Sequence, residues 1–203
     1  MNMKNKSIYG TREITIMGML AAIAVVLMLF EFPLPFIAPP FYELDFSEVP
    51  VIVGTFALGP FAGAMIEFLK IILNLLINGT QTAGVGEVAN FIIGCAFCIP
   101  AGILYKNKKN KKRAVLSLVV GSISMTIIGC LVNVYIMLPT YAKAFSWPLD
   151  KIIEMGTIVN ENITDLTSFV LIAVAPFNLL KGCLISVVLL FIYKKISPIL
   201  KKH

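Results

Sequence analysis

The chain has 203 residues, of which 58% are hydrophobic and 14% are charged, and this composition predicts an integral membrane protein. The apolar runs leave room for about six spans and for no separate soluble catalytic domain. The net charge of +6 could indicate a nucleic-acid partner, but most Lys and Arg residues form three groups, at the N-terminus, at 106–113 and at the C-terminus. Each group flanks an apolar run, as cytoplasmic ends do. We therefore expect no nucleic acid as a partner and both termini in the cytoplasm.

Six apolar segments predict an all-α bundle of six transmembrane helices in a single domain that covers residues 1–203. The expected bounds are about 14–32, 49–58, 61–77, 85–105, 114–138 and 168–193. The first segment follows a basic start and continues without a convincing cleavage site, so we interpret it as a retained helix rather than a signal peptide. The second is short for a full span and is separated from the third by Gly59-Pro60. We expect it to be tilted or to borrow residues from the preceding loop.

Small residues line the inner half of the first predicted helix. Gly18, Ala21 and Ala22 lie there, and the Gly18-xxx-Ala22 spacing creates a face that another helix can approach closely. Two interpretations remain open from the residues alone. The face either packs within the chain's own bundle or docks onto a partner.

The segment from Pro39 to Pro50 is a polar and aromatic insert between the first two apolar runs. Its prolines fix φ and remove amide donors, so we expect an ordered loop rather than one regular helix. The charge pattern places this loop outside the cell, at the mouth of the bundle, where it could cover a bound molecule. The acidic segment 140–165 is expected to form a second external loop.

Cysteine and histidine residues form no recognisable metal or nucleophilic motif. Cys95 and Cys98 make a C-x-x-C pair, but neither a second pair nor a histidine lies nearby, and Cys130 and Cys183 also fall in apolar segments. The single histidine is His203, at the end of the chain, which excludes a Ser-His triad. We expect buried thiols, no metal and no cofactor.

Several polar side chains fall in the outer half of the predicted bundle: Asp45, Glu67, Lys70, Glu87, Asn90, Asn133, Asn178 and Lys181. One interpretation is structural, because paired charges and amides can tie helices together, and the spacing of Glu67 and Lys70 permits a local ion pair. The other is a binding site, because an asparagine presents an acceptor beside a donor and matches the imide edge of a flat heteroaromatic vitamin. Apolar walls could then come from the first loop, through Phe41, Tyr42, Leu44 and Phe46.

Four separated runs carry a family resemblance: 41–50 (FYELDFSEVP), 56–60 (FALGP), 82–91 (TAGVGEVANF) and 176–182 (PFNLLKG). Together, and in this order, they resemble the riboflavin-specific S component of energy-coupling-factor (ECF) vitamin transporters. The resemblance covers nearly the whole chain from the first helix to the sixth. It implies a six-helix fold in the bacterial cytoplasmic membrane that captures riboflavin from outside with high affinity.

The resemblance also implies which residues bind the flavin and which partners supply energy. In the family the first loop covers the flavin and polar residues of later helices hydrogen-bond it. The matched positions are Leu44, Asp45, Phe46, Asn133, Asn178 and Lys181, with Glu67, Thr82, Gly84, Glu87 and Asn90 as further matches. The implied partners are a membrane coupling subunit and two ATP-hydrolysing subunits, docked on an Ala-xxx-Ala face of helix 1 that is Gly18-xxx-Ala22 here. The chain has no nucleotide-binding loop of its own, in agreement with energy supplied by other chains.

Three alternatives remain at this point. The chain could be an S component for another vitamin or precursor. It could be a small intramembrane enzyme that uses Glu67 or Glu87 as a general base, although no nucleophile, histidine or metal cluster accompanies them. It could also be a purely structural membrane subunit.

Overall fold

A computed structural model describes residues 9–80, 82, 84–144 and 148–200. The basic residues Lys4, Lys6, Lys201 and Lys202, which entered the charge argument, lie outside the described residues. The elements in chain order are α1 (Thr11–Met28), β1 (Phe32–Pro33), β2 (Glu43–Leu44), α2 (Glu48–Leu58), α3 (Pro60–Asn78), α4 (Val85–Asn107), α5 (Lys111–Val132), a π-helical turn π1 (Asn133–Met137), α6 (Leu138–Ala144), α7 (Leu149–Val159), α8 (Leu166–Phe169), a π-helical turn π2 (Val170–Val174) and α9 (Ala175–Leu200).

The described part of the chain contains five helical segments that are long and apolar enough to cross a membrane. They are α1, α3, α4, the continuous run from α5 to α6, and the run from α8 into α9. The remaining apolar helix, α2, has 11 residues and a rise of about 16 Å, roughly half the thickness of a bilayer core. Where six spans were expected, the described part of the chain has five long helices and one short helix.

The loop before α2 supplies the depth that this helix lacks. Residues 44, 45 and 47 are buried, so the chain already lies inside the bundle before α2 begins at Glu48. At the other end of α2, Gly59 takes φ of +105° and Pro60 starts α3, a backbone angle and a first helical position that suit glycine and proline. The predicted break at Gly59-Pro60 and the borrowing of loop residues both match this arrangement.

The fifth and sixth predicted helices continue past the prolines that were expected to end or interrupt them. The fifth was predicted to end at residue 138, but the helical run reaches Ala144 through π1 and α6, which contains Pro139. Pro176 lies near the start of α9, directly after π2. Proline cannot donate to the carbonyl of residue i−4 and crowds it, and a π-helical turn before each proline accommodates this defect without breaking the helix.

The segment expected as a second external loop contains a helix. Residues Leu149–Val159 form α7, which buries Ile152 and Gly156. A Cβ at Gly156 would lie 2.6 Å from the ring of Phe169, so glycine allows this close contact. The acidic side chains of α7 face outward, and this is why composition alone pointed to a loop.

The helical run that follows begins at Leu166. It is capped by Asp165, which accepts a hydrogen bond from Ser168 N at 2.7 Å.

Two apolar clusters pack the bundle above and below its middle. The lower one joins the helices from α1 to α5 and α9 and includes Phe56 and Tyr105, whose ring centroids lie 4.0 Å apart in a stacked arrangement. The upper one gathers the first loop, π1, α7 and α9 around Tyr42, Phe169 and Phe177. Many large apolar side chains on the outer faces are exposed, as expected of surfaces that contact lipid.

All four cysteines are free. Cys98 is buried, Cys95 and Cys130 are half-buried, and Cys183 is exposed, against the expectation of buried thiols throughout.

Candidate substrate-binding site

A cavity of about 750 Å³ lies where the first loop, the α3–α4 link and α7 meet the tops of α4, α5 and α9. Its size falls within the range of about 300–1,000 Å³ that is usual for small-molecule sites. Helix α4 runs from the cavity wall at Glu87 to the basic turn at 108–110, so the cavity and this turn lie at opposite ends of the bundle. Seven of the predicted binding residues line it: Asp45, Thr82, Glu87, Asn90, Asn133, Asn178 and Lys181.

An ion pair ties the first loop to α9 at the cavity wall. Lys181 Nζ donates to Asp45 Oδ2 at 2.7 Å, and Asp45 Oδ1 accepts from the backbone N–H of Ser47 at 2.6 Å. Asp45 is 2% exposed and Lys181 is 6% exposed. Burial of a carboxylate without a cation costs several kcal/mol, so the buried position of Asp45 and of its loop depends on Lys181.

Two asparagine amides reach the cavity from the ends of the π-helical turns. Asn133 opens π1, and its Nδ2 donates to the carbonyl oxygen of Gly129 at 2.8 Å while its Oδ1 accepts from the hydroxyl of Tyr42. Asn178 follows π2 and donates from Nδ2 to the carbonyl oxygen of Val174 at 2.9 Å. Each Nδ2 carries a second hydrogen that these bonds leave available. The two amides can therefore present polar groups to a ligand from neighbouring helices.

Aromatic rings from the first loop, α6 and α9 form an apolar wall beside these amides. The Tyr42 ring lies 4.8 Å from that of Phe41 and 5.6 Å from that of Phe177, measured between centroids. Phe41 also meets Tyr141 edge-on at 6.1 Å. A flat heteroaromatic ligand would find both apolar faces and polar edges here.

The structure does not bring four predicted residues to the cavity wall. Leu44 is 1% exposed and packs in the upper apolar cluster, and Phe46 packs between the two clusters. Gly84 takes φ of +85° and caps α4, a structural task that favours glycine. Glu67 is fully buried in an ion-pair group below the cavity. In this arrangement these four residues belong to elements that line the cavity and do not line it themselves.

That ion-pair group joins α2 and α3 and contains two acids for one lysine. Lys70 Nζ lies 2.8 Å from Glu48 Oε1 and 2.7 Å from Glu67 Oε1, and it also donates to Ser47 Oγ at 3.1 Å. The contact with Glu67 is an ion pair without hydrogen-bond geometry, so both Glu67 oxygens lack a hydrogen-bond partner among the described residues. The expected local pair of Glu67 and Lys70 is confirmed, and Glu48 is an addition that the sequence analysis missed.

Several other cavity residues were also missed: Glu31, Asn74, Asn78, Met125, Tyr141 and Met155. Asn74 was detectable, since it follows Glu67 and Lys70 on the same face of α3 at helical spacing. Met125 belongs to a helix that is apolar on several sides, where periodicity does not reveal which side chain meets a cavity. Met155 belongs to α7, in the segment that was expected to be an external loop.

Glu31 carries the pKa shift that is most relevant to the loop. It lies between α1 and β1, outside the spans. Burial, together with the neighbouring charges of Glu43 and Asp45 and against that of Lys181, raises its pKa from 4.5 to about 7. In the unfolded chain the carboxyl ionises near its ordinary pKa, so the folded protein keeps the proton over a wider pH range.

We expect the stability of the protein to fall as the pH rises from about 4.5 to about 7, because the folded state must then ionise Glu31 at a cost that the unfolded state does not bear. The stability that protonated Glu31 contributes is fully present below about pH 4.5 and is lost above about pH 7. Thermal unfolding in detergent between pH 5 and pH 8 tests this. Glu31→Gln should match the wild type at pH 5 and melt higher at pH 8; parallel curves for the two proteins would contradict the assignment.

The small residues of α1 divide between two environments. Gly18 and Ala22 are exposed on the outer face of the bundle, and a Cβ at Gly18 would meet nothing within 4 Å. Ala21 is fully buried in the lower cluster, where a partner helix cannot reach it. The predicted docking set therefore reduces to Gly18 and Ala22.

Comparison with known proteins gives concordant matches over nearly the whole chain. The family described as "ECF transporter, substrate-specific component" matches residues 12–193. The "Riboflavin transporter RibU" of Staphylococcus aureus (strain TCH60) is 35% identical over 191 residues, covering 94% of this chain and 93% of that protein. The "Riboflavin transporter FmnP" of Bacillus subtilis (strain 168) is 35% identical over 188 residues, covering 92% and 93%.

A solved structure agrees with these matches. It is described as the S component of a bacterial ECF transporter, is 34% identical, covers 94% of this chain and 98% of its own, and superposes with a TM-score of 0.72. The helical order, the cavity at one end of the bundle and these matches support one conclusion. The chain belongs to the family of substrate-specific components of ECF transporters.

Proposed function

We propose that this protein binds riboflavin and serves as the riboflavin-specific subunit of an ECF transporter. The observation that carries the proposal is the cavity in which the amides of Asn133 and Asn178 and the Asp45–Lys181 ion pair meet an aromatic loop. Relatives that share about a third of the sequence over nearly its whole length are named riboflavin transporters. As a transporter component, the chain is not an enzyme, and the general-base interpretation of Glu67 or Glu87 is set aside.

The chemistry of the cavity suits a flavin. The isoalloxazine ring presents an imide edge with N–H beside C=O, which asparagine amides can match. The rings of Phe41, Tyr42 and Phe177 offer apolar faces for the fused ring system, and burial of that surface supplies most of the affinity. The ribityl hydroxyls need polar partners, which Asn74, Asn90 and Thr82 can supply.

The proposed orientation places the cavity outside the bacterial cytoplasmic membrane and both termini inside. It is supported by the cluster of basic residues at 106–113, at the end of the bundle opposite the cavity. With α2 crossing in company with the descending loop, six passes result. A membrane coupling subunit and two ATP-hydrolysing subunits then drive release of the substrate inside.

The proposal is tested by purifying the chain in detergent and recording its visible spectrum. We expect a yellow protein with the absorption bands of a bound flavin, and quenching of flavin fluorescence when riboflavin is added to ligand-free protein. Folded, colourless protein that leaves riboflavin fluorescence unchanged would overturn the proposal. Titration with other vitamins then tests whether the chain is an S component for a different substrate.

A bulky side chain on the exposed face of α1 should separate binding from transport. Gly18→Leu and Ala22→Leu add volume where the bundle itself offers no contact, so riboflavin binding should stay within about twofold while uptake by the assembled complex falls at least about tenfold. Cys183→Leu, at an exposed position on α9, is the matched control. Equal loss of binding and uptake in the α1 variants would show a packing role instead.

A further inference from the structure

The charges around the cavity differ in sign from the charge of the whole protein. The chain carries a formal charge of +6, yet its cavity is lined by five acids, Glu31, Glu43, Asp45, Glu48 and Glu87, against one cation, Lys181. A site that focuses negative potential repels anionic ligands and leaves neutral ones unaffected.

Two of these acids are neutralised by ion pairs and three are not. Asp45 pairs with Lys181, and Glu48 pairs with Lys70. In the described part of the chain, Glu31, Glu43 and Glu87 form no ion pair with Lys or Arg. Lys143 and Lys151 belong to α6 and α7 at the same end of the bundle, but both are exposed and neither lines the cavity.

The three acids lie on two sides of the cavity. Glu31 and Glu43 come from the chain around the short β1–β2 hairpin, where Glu43 pairs with Pro33 across the ladder. Glu87 lies in the first turn of α4. We call these three residues the acidic rim.

Two features of the described cavity wall could attract an anion, Lys181 and the amino end of α4, and Lys181 is already paired with Asp45. The amino end of α4 carries a partial positive charge that favours phosphate groups, but Glu87 in its first turn offsets that charge. Two nearby amide groups are also engaged, since Gly84 N donates to Thr80 Oγ1 at 2.9 Å and Gly86 N donates to Thr82 Oγ1 at 3.0 Å. Thr82 Oγ1 in turn donates to Glu87 Oε2 at 2.8 Å.

We propose that the acidic rim makes the site select neutral riboflavin against flavins that carry a phosphate, such as riboflavin 5′-phosphate. The inference rests on the proposed function of the same site. A phosphate monoester carries between one and two negative charges at neutral pH, so it is repelled by the ionised carboxylates of the rim, to which Glu31 adds a full charge only above about pH 7. The isoalloxazine and ribityl groups of both ligands are the same. The rim thus discriminates by the charge of the ligand, which differs between the two flavins, and not by the groups that they share.

The test is a set of titrations of purified protein with riboflavin and with riboflavin 5′-phosphate at pH 8, where Glu31 is ionised, followed by flavin fluorescence at low and high NaCl. In the wild type we expect the phosphate to bind at least about tenfold more weakly, with the difference shrinking as salt screens the rim. The ratio of the two dissociation constants should fall about three- to tenfold in Glu31→Gln/Glu43→Gln, and in Glu87→Gln, as interactions of one to two charges at this range imply. Glu13→Gln, at the far end of α1, is the matched control and should leave the ratio unchanged.

The outcomes separate the two proposals. Equal affinity for both ligands in the wild type, or a ratio that neither rim variant changes, overturns the role of the acidic rim while riboflavin binding stands. If folded protein binds neither ligand, the proposed function is overturned and the inference with it.

Discussion

Lys181→Met is expected to weaken riboflavin binding at least about 100-fold. The Lys181 ammonium lies at the cavity wall and pairs with Asp45 at 2.7 Å. Its removal leaves a carboxylate that is 2% exposed without a cation, a change that costs about 3–5 kcal/mol at buried sites. The protein can relieve this cost by moving the first loop outward, which opens the proposed cover of the site. Because every 1.4 kcal/mol is tenfold in affinity, the loss exceeds two orders of magnitude if the closed loop is required for binding.

Titration of flavin fluorescence measures this effect. Two further variants serve as a control and as a test of how Lys181 acts. Lys151→Met, at an exposed position on α7, controls for the substitution itself. The double variant Asp45→Asn/Lys181→Met removes both charges and allows the loop to stay buried. Recovery of binding in the double variant would show that Lys181 acts by holding the loop, and continued loss would show a direct contact with the flavin. Binding by Lys181→Met within fivefold of the wild type would contradict the assignment.

Lys70→Met is expected to be the most destabilising single substitution in the bundle. It leaves Glu48 and Glu67, which are 1% and 0% exposed, as two buried carboxylates with no cation. Loss of one partner from a buried ion pair costs about 3–5 kcal/mol, which corresponds to a fall of roughly 6–20 °C in melting temperature for a chain of this size. The helices that separate in this case are α2 and α3, which carry the loop into the bundle.

Thermal unfolding in detergent, followed by the reactivity of buried thiols such as Cys98, measures the effect. The triple variant Glu48→Gln/Glu67→Gln/Lys70→Met removes all three charges and should recover most of the lost stability. Lys106→Met, at an exposed position near the end of α4, is the control. A melting temperature for Lys70→Met within 2 °C of the control would show that the two carboxylates are protonated or hydrated without the lysine.

Local features of the sequence predicted the helices well and their ends less well. Runs of apolar residues marked the spans because partition into lipid depends on the composition of each segment by itself. The break at Gly59-Pro60 was visible for the same reason, since the backbone preferences of these residues are local. The continuation past Pro139 was not visible, because proline normally ends a helix and π-helical turns are too rare to be expected from the sequence.

Some residues of the candidate site were also predictable from the sequence, and others were not. Asn133, Asn178 and Lys181 stood out because polar side chains within apolar segments need a partner or a ligand. Leu44 and Phe46 were expected at the cavity, but side-chain identity does not say which face of a loop descends into the bundle. Helix α7 was mistaken for a loop because its outward acidic residues concealed the buried Ile152 and Gly156.

The sequence by itself determined that the chain is a membrane bundle, where most of its helices lie, and which polar side chains required an explanation. The tertiary structure alone decided how those side chains pair. Lys181 meets Asp45 across 136 positions, and Lys70 selects Glu48 from α2 in addition to the neighbouring Glu67. The physical reason is that partition of a segment into lipid depends on that segment alone, whereas an ion pair forms only where packing brings two distant segments within about 3 Å. The same packing leaves Glu31, Glu43 and Glu87 around the cavity without a paired cation in the described part of the chain.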